Sequence, residues 1–407
     1  MNVLAINTGS SSVKFSLFEK QLKTALREGE ISWSNGNRKR ANLSVWSDQG
    51  VEAPAWVDAH DDQTAARRAI ETALAGGFAP AEIGVVGHRV VHGGTEFRDS
   101  VLINDRVKEV IAGLGSLAPL HNPPALRAIE AAEAAFPGIP QVAVFDTAFY
   151  AHLKPRAFLY PLPYEFYQKW GIRRYGFHGL SHGYCAARAA ELMNRPPAQL
   201  NLIVCHLGGG CSATAVRGGL AVAMTSGFSP LDGLMMGTRP GTLDPGILLA
   251  LQEQHGLSVT EISRALNSGS GLLGVSGISQ DIGALESAAQ GGNVRARLAC
   301  EMFADRVRAA IGGLAVTLGS VDGLVFTDRM GENSPAMRAA VCEGLEILGL
   351  RLDRQLNESA HPDQDVSATE SRAHILVIHA REELMVAREA VRVLASSSEG
   401  NSSVKMS

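Results

Sequence analysis

Val3-Leu4-Ala5-Ile6 leads into Asn7-Thr8-Gly9-Ser10-Ser11-Ser12, after which Val13, Phe15 and Leu17 alternate with Lys14 and Ser16. A short apolar run, a polar turn and a period-two alternation predict strand, turn, strand. Half a chain later, Leu202 to Leu207 run into Gly208-Gly209-Gly210-Cys211-Ser212, followed by Ala213-Thr214-Ala215-Val216, in the same order of features. This reads as an internal duplication, with two related domains each offering a small-residue hairpin turn to a shared cleft. Apolar spacing of three and four residues predicts helices over Asp62 to Ala75, Pro123 to Phe136, His182 to Met193, Val294 to Leu318, Pro335 to Leu348 and Glu382 to Leu394. Strands alternating with helices predict an α/β architecture with mixed sheets. The run Ser396 to Ser403 carries no apolar pattern and reads as a frayed tail.

Length and composition bound the rest. At roughly 100–200 residues per domain, a chain of 407 residues predicts two domains or three. An apolar fraction of 45% excludes a disordered chain, and 37 basic against 41 acidic residues leave no surplus for nucleic acid. The five cysteines form no C-x-x-C pair, so they read as reduced core thiols. No charged leader or long apolar window is present, and a cytoplasmic protein without membrane contact is expected.

The chemistry is sought in anion-binding segments. There is no Gly-Lys dipeptide, which excludes a P-loop. Gly269-Ser270-Gly271-Leu272-Leu273-Gly274 spells G-x-G-x-x-G, but it follows a helix-like segment where a dinucleotide site needs a strand. The turn from Asn7 to Ser12 offers backbone N–H groups, hydroxyls and the nearby Lys14 to a phosphate, although a polar hairpin uses the same residues. The triple glycine 208–210 is equally double in meaning. Three glycine-bounded segments place cations after apolar runs: His88-Arg89-Val90-Val91-His92-Gly93-Gly94, Tyr175-Gly176-Phe177-His178-Gly179, and Met236-Gly237-Thr238-Arg239. Together with the two turns they point to a common anionic ligand. Asp146, after Val142-Ala143-Val144-Phe145, and Glu382, at the start of the last helix, are candidate acids for Mg²⁺, while Glu382 also suits a helix dipole.

These motifs, with Leu117-Ala118-Pro119-Leu120-His121-Asn122-Pro123, Val144-Phe145-Asp146-Thr147-Ala148-Phe149 and Gly331-Glu332-Asn333-Ser334, resemble the acetate kinase family of the actin-like sugar kinase superfamily nearly end to end. The resemblance implies two actin-like, ribonuclease H-like domains with mixed sheets flanked by helices and a ligand cleft between them. The expected extents are 1–149 completed by a last helix near 383–395, then 150–382, and a disordered tail at 396–407. It implies reversible, Mg²⁺-dependent, in-line transfer of the ATP γ-phosphoryl group to acetate, giving acetyl phosphate and ADP, with Mn²⁺ as an alternative metal. By the family's pattern Arg89 and Arg239 flank the carboxylate and the migrating group, His178 donates to it, His121 supports, and Asp146 is a base or a positioning group. Asn7 and Glu382 hold the metal. Ser10, Ser12, Lys14, His206, Leu207, Gly208, Gly209 and Gly210 meet phosphates. Asp281, Ile282, Gly283, Arg329, Met330, Gly331, Glu332 and Asn333 belong to the nucleotide site, and Val91, Leu120, Phe177 and Pro230 form the acyl pocket. A homodimer is implied as well.

The chain departs from that pattern mainly on the nucleotide side. Gly209 stands where the family usually has Asn, Asp328-Arg329-Met330 replaces a form with Gly-Ile at the last two positions, and Gly283 replaces an arginine. Met224 replaces a frequent Asp and Leu180 a frequent Thr. Altered donor preference is therefore expected. The competing readings are a propionate or butyrate kinase of the same family, and a nucleotide-binding homologue without turnover.

Overall fold

The computed structural model describes 1–9, 11–33, 40–47 and 50–404, and of 398–404 the backbone alone. Ser10 and the last residues of the expected tail lie outside the described residues. The chain forms two compact units, Met1–Ala151 with Arg381–Ser407, and His152–Ala380.

In the first unit β1 (Asn2–Thr8) and β2 (Ser12–Phe18) form the hairpin read from the opening sequence. β3 (Ala25–Ser32), β4 (Ala41–Ser47) and the short β5 (Gly50–Val51) continue the sheet antiparallel, with β6 (Ala55–Val57) on β4. On the other side of β1 lie β7 (Ile83–Val90), parallel to it, and β9 (Gln141–Phe145), parallel to β7, with β8 (Val101–Leu102) at the edge. Val3, Leu4, Ala5 and Ile6 are all buried, because helices cover both faces of this strand and a doubly covered strand reads as a continuous apolar run. Helices α1 (Asp62–Leu74) and α2 (Asn122–Ala135) pack through Ala65, Ala69, Ala128 and Ala132 into a core with Leu4, Ile6 and Phe15. The C-terminal helix Glu382–Val404 packs on β1 and β7 and buries Val386, Ala387 and Ala390.

The second unit repeats this order. β10 (Asn201–Leu207), β11 (Cys211–Arg217) and β12 (Leu220–Met224) are antiparallel neighbours, while β13 (Gly323–Thr327) and β15 (His374–Val377) run parallel to β10, with β14 (Gln364–Asp365) at the edge. The path β3-β2-β1-β7-β9 thus matches β12-β11-β10-β13-β15, which is the ribonuclease H-like order of actin-like folds. Helices α3 (Gly179–Leu192) and α4 (Val294–Leu318) supply the flanking layers. The expected duplication is present at the level of topology.

Three expectations need adjusting. Glu382, expected at the end of 150–382, opens the helix that packs on β1 and belongs to the first unit. The expected helix Pro335 to Leu348 stops at Cys342 and resumes as a 3₁₀ turn over Leu345–Leu348, because Gly344 takes φ +79° between them. The last helix continues beyond 395 into the serine-rich run, where Ser396 and Ser397 hydroxyls donate to the Arg392 and Val393 carbonyls one turn back. The described cysteines form no disulfide, and burial raises the Cys211 and Cys342 thiols to about 12. No described helix is long and apolar enough to cross a membrane.

Candidate functional site

The parallel strands β1, β7 and β9 end at one edge of the first sheet. Asn7, next to last in β1, is the register partner of Arg89 in β7, and Asp146 follows β9 directly. Side chains from three strand ends therefore share one place, joined by Glu382 and Glu383 from the first turn of the C-terminal helix. Arg89 donates from Nε and Nη2 to Asp146 Oδ2 at 3.2 and 2.7 Å, and from Nη1 to Asn7 Oδ1 at 3.0 Å and Glu382 Oε2 at 3.1 Å. Asn7 Nδ2 donates to Glu382 Oε2 at 3.0 Å and Glu383 Oε1 at 2.8 Å. Asp146 is fully buried. Burial opposes the Arg89 charge, yet Asp146 and Glu382, with Glu383, outweigh it and hold the guanidinium pKa above its ordinary value. Three carboxylates around one guanidinium leave the cluster short of positive charge.

The loops beside this cluster are tied together. Asn122 accepts from the His92 amide at 3.1 Å and donates to the His92 carbonyl at 3.0 Å, and Thr147 Oγ1 accepts from the Gly93 amide at 2.9 Å. Val91 is buried in that loop, His121 stands at the N-cap position of α2 without a capping hydrogen bond from its side chain, and Leu120 beside it is exposed. Lys14 is exposed on β2 opposite Asn7, and Ser12 begins that strand. His88, next to Arg89 but facing the other way, sits 2.7 Å from Gln141 Oε1, and burial lowers its pKa to about 4.

The second unit has its own cluster, built on β10 and the N-terminus of α3. His206 is next to last in β10, as Asn7 is in β1, and is the register partner of Ser212 on β11. Its Nδ1 lies 2.9 Å from Ser181 Oγ and its Nε2 lies 3.2 Å from Asp328 Oδ2. The His178 ring stacks on His206 with centroids 4.2 Å apart. Ser212 Oγ lies 2.8 Å from His178 Nδ1 and 2.7 Å from His182 Nε2, so its single hydroxyl hydrogen serves one ring while it accepts from the other. Burial, reinforced by His206, holds the His182 pKa well below the usual value. His178 has φ +57°, a left-handed conformation that sets the ring at the mouth of α3.

Arg239 joins this cluster through the glycine turn. A Cβ on Gly210 would stand 2.8 Å from Arg239 Nη2 and 3.0 Å from His178 Nε2, so only glycine admits both groups. Arg239 Nη1 donates to the Pro230 carbonyl at 2.7 Å, and burial pulls its pKa below the ordinary value. Phe177 is buried beside His178. The Arg239 loop is braced by the G-x-G-x-x-G segment: the Ser270, Leu272 and Leu273 amides donate to the Thr238, Met236 and Gly237 carbonyls at 2.9 Å each. A helix, Val259–Ser268, precedes that segment, as the sequence reading expected.

Among the expected nucleotide residues, Asp281 caps the helix Ile282–Gln290, Ile282 is buried and Gly283 is exposed. Arg329 and Asn333 are exposed, and Met330 and Gly331 are buried. Glu332 Oε1 accepts from the Asp328 and Ala380 amides at 2.9 and 3.0 Å, and Oε2 lies 2.7 Å from His379 Nδ1, so its carboxylate holds the 328–332 turn. Leu207, Gly208 and Gly209 form the end of β10 and its turn. The structure thus brings Asn7, Arg89, Asp146 and Glu382 together in one unit, and His178, His206, Gly210, Arg239 and Pro230 in the other. Sequence reasoning gave no role to Glu383, Ser181, His182, Ser212 or the Asp328 carboxylate. The spacing of four between His178 and His182 was the one available signal for His182.

A family model described as the Acetokinase family matches residues 2–388. The acetate kinase of Cyanothece sp. (strain PCC 7425 / ATCC 29141) is 44% identical, covering 98% of this chain and 100% of its own length. That of Gloeobacter violaceus is 45% identical, covering 96% and 98%. Among solved structures, an acetate kinase of Porphyromonas gingivalis superposes with a TM-score of 0.87 at 38% identity, covering 97% of this chain and 99% of that one. A propionate kinase from Francisella tularensis subsp. tularensis SCHU S4 gives 0.88 at 37%, covering 96% and 99%.

Proposed function

Because the chain belongs to the acetokinase family, it is a kinase with ATP and ADP as co-substrates, and we propose that it transfers the γ-phosphoryl group of ATP reversibly to acetate. The observation that carries this reading is the pair of clusters around Arg89 and Arg239, because phosphoryl transfer needs positioned cations more than covalent help. Arg89 and Arg239 neutralise the carboxylate and the migrating phosphoryl group, His178 donates to that group, and His121 supports it. Ser10, Ser12, Lys14 and the turn from His206 to Gly210 receive phosphates. Val91, Leu120, Phe177 and Pro230 shape the acyl pocket, while Asp281 to Gly283 and Arg329 to Asn333 receive the nucleotide.

Mg²⁺ fits the first cluster by donor chemistry. Asn7 Oδ1 and the Glu382 carboxylate are hard oxygen donors in a place short of positive charge, and Mg²⁺ bound with nucleotide phosphates needs only one or two protein oxygens beside its waters. Among the described residues no group of three or more His, Cys, Asp or Glu is placed to hold a metal ion. When bound, the ion shields the phosphate charge. Both donors accept from Arg89 Nη1 in the structure, and since each oxygen has more than one lone pair an ion would share them with that guanidinium.

Asp146 acts as a positioning group. The carboxylate acceptor has a reference pKa near about 4 and arrives ionised, so no proton has to leave the nucleophile. Asp146 Oδ2 instead takes two hydrogen bonds from Arg89. Asp146→Asn is expected to lower kcat by about a hundredfold and to change the magnesium dependence. An unchanged magnesium dependence with an altered pH–rate profile would return Asp146 to the role of base.

Trapping the acyl phosphate with hydroxylamine after incubation with MgATP tests the whole reading. Acetate is expected to give product, and propionate and butyrate extend the series, since one methylene changes discrimination by about 1–3 kcal/mol. No product from any of them would refute it. The protein works in the cytoplasm as a homodimer.

A further inference from the structure

Asp328 is the third partner of His206 and has no place in the mechanism above. Its φ of +64° is left-handed, which Asp tolerates better than most residues and glycine best of all. This conformation turns the carboxylate back over the glycine turn. Oδ2 lies 3.2 Å from His206 Nε2 and occupies the space that any side chain at Gly208 would need. The carboxylate is about one third exposed, so it faces solvent above the turn as well as the ring below it. The Gly208 amide closes the turn on the Gly210 carbonyl at 3.1 Å, with Arg239 and His178 against the far side of Gly210. A turn suited to an incoming anion thus already carries one of the chain's own.

We propose that Asp328 is a specificity residue for the phosphoryl donor: its carboxylate competes with the donor's phosphates for the glycine turn at Gly208 and weakens their binding without taking part in the transfer. The inference rests on the kinase reading and on the turn as the phosphate contact. A like charge within a few ångströms of a phosphate disfavours binding by Coulomb repulsion, moderated because the site is open to water. Neutral parts of the donor do not feel it.

Asp328→Asn and Asp328→Gly both accept the left-handed backbone, so each tests the charge without forcing the turn. Both are expected to lower the KM for MgATP by about three- to tenfold, with the KM for acetate within about twofold and the inhibition constant of adenosine, which has no phosphates, unchanged. If the asparagine variant behaves as wild type while the glycine variant alone changes, the side chain only positions His206 and the inference is overturned. Unchanged or raised MgATP KM in both variants overturns it as well. A wild-type chain that forms no acyl phosphate removes the kinase reading and the inference together, whereas an active wild type with insensitive variants removes the inference alone.

Discussion

Arg89 and Arg239 occupy opposite electrostatic settings. Arg89 lies among Asp146, Glu382 and Glu383 and is more than compensated, whereas among the described residues no carboxylate pairs with Arg239, whose Nη1 rests on the Pro230 carbonyl. The first arrangement fixes a cation and leaves an appetite for another. The second keeps a buried positive charge whose field is free to meet an anion. One residue type thus plays two parts, and the difference comes from the groups around it: strand ends and a helix N-terminus bring carboxylates onto Arg89, while the one carboxylate at the glycine turn, Asp328, pairs with His206 and not with Arg239.

Stability separates the two most sharply. Arg89→Ala leaves a fully buried Asp146 without its cation, and a loss of about 3–5 kcal/mol is expected in urea unfolding. Arg239→Ala removes a charge that burial disfavours, so its unfolding free energy is expected to change by less than about 1 kcal/mol. Both variants are expected to lose at least about a thousandfold in kcat. Equal destabilisation by the two would erase the contrast.

Acid provides a second, smaller probe of the Arg89 side. His88 and His92 are buried in that unit, and burial lowers both pKa values to about 4. The unfolded rings bind protons below their ordinary pKa near 6.5, while the folded rings stay neutral until about pH 4. Stability contributed by the neutral rings is therefore complete above pH 6.5 and drains away as pH falls toward 4. The expected loss is about 2 kcal/mol per ring at pH 5. Urea midpoints measured from pH 7 to pH 5 should fall accordingly, and His88→Asn should reduce the slope by about one ring's share. A flat profile would show that the rings take up protons in the folded state.

Much of this architecture is visible in the chain itself. Val3 to Ile6 and Leu202 to Leu207 announce their strands because burial on both faces demands unbroken apolar runs, and the small residues after them announce the turns. Arg89, His178 and Arg239 stand out because each lies in a glycine-bounded segment, and Asp146 because it follows a strand directly. Ser212 and Asp328 do not, for different reasons. Ser212 matters through its register opposite His206, and a register is a property of two strands. Asp328 matters through a positive φ at a residue other than glycine, which local sequence does not encode. Glu383 was hidden by Glu382: the two first-turn acids look like ordinary dipole partners until Asn7 is seen to donate to both.

The mildest change tests how the Arg239 side holds its histidines. Ser212→Ala removes the hydroxyl that His178 and His182 share, but His178 remains stacked on His206 and fixed by its left-handed backbone. A loss of about 1 kcal/mol in stability and about tenfold in kcat is expected, well below the effect of either arginine. With the shared hydrogen gone, the tautomers of the two rings become independent, so the pH–rate profile should change along with kcat. A variant with the same modest destabilisation but a wild-type profile would make Ser212 a packing residue, and His178 would then be held by backbone and stacking alone.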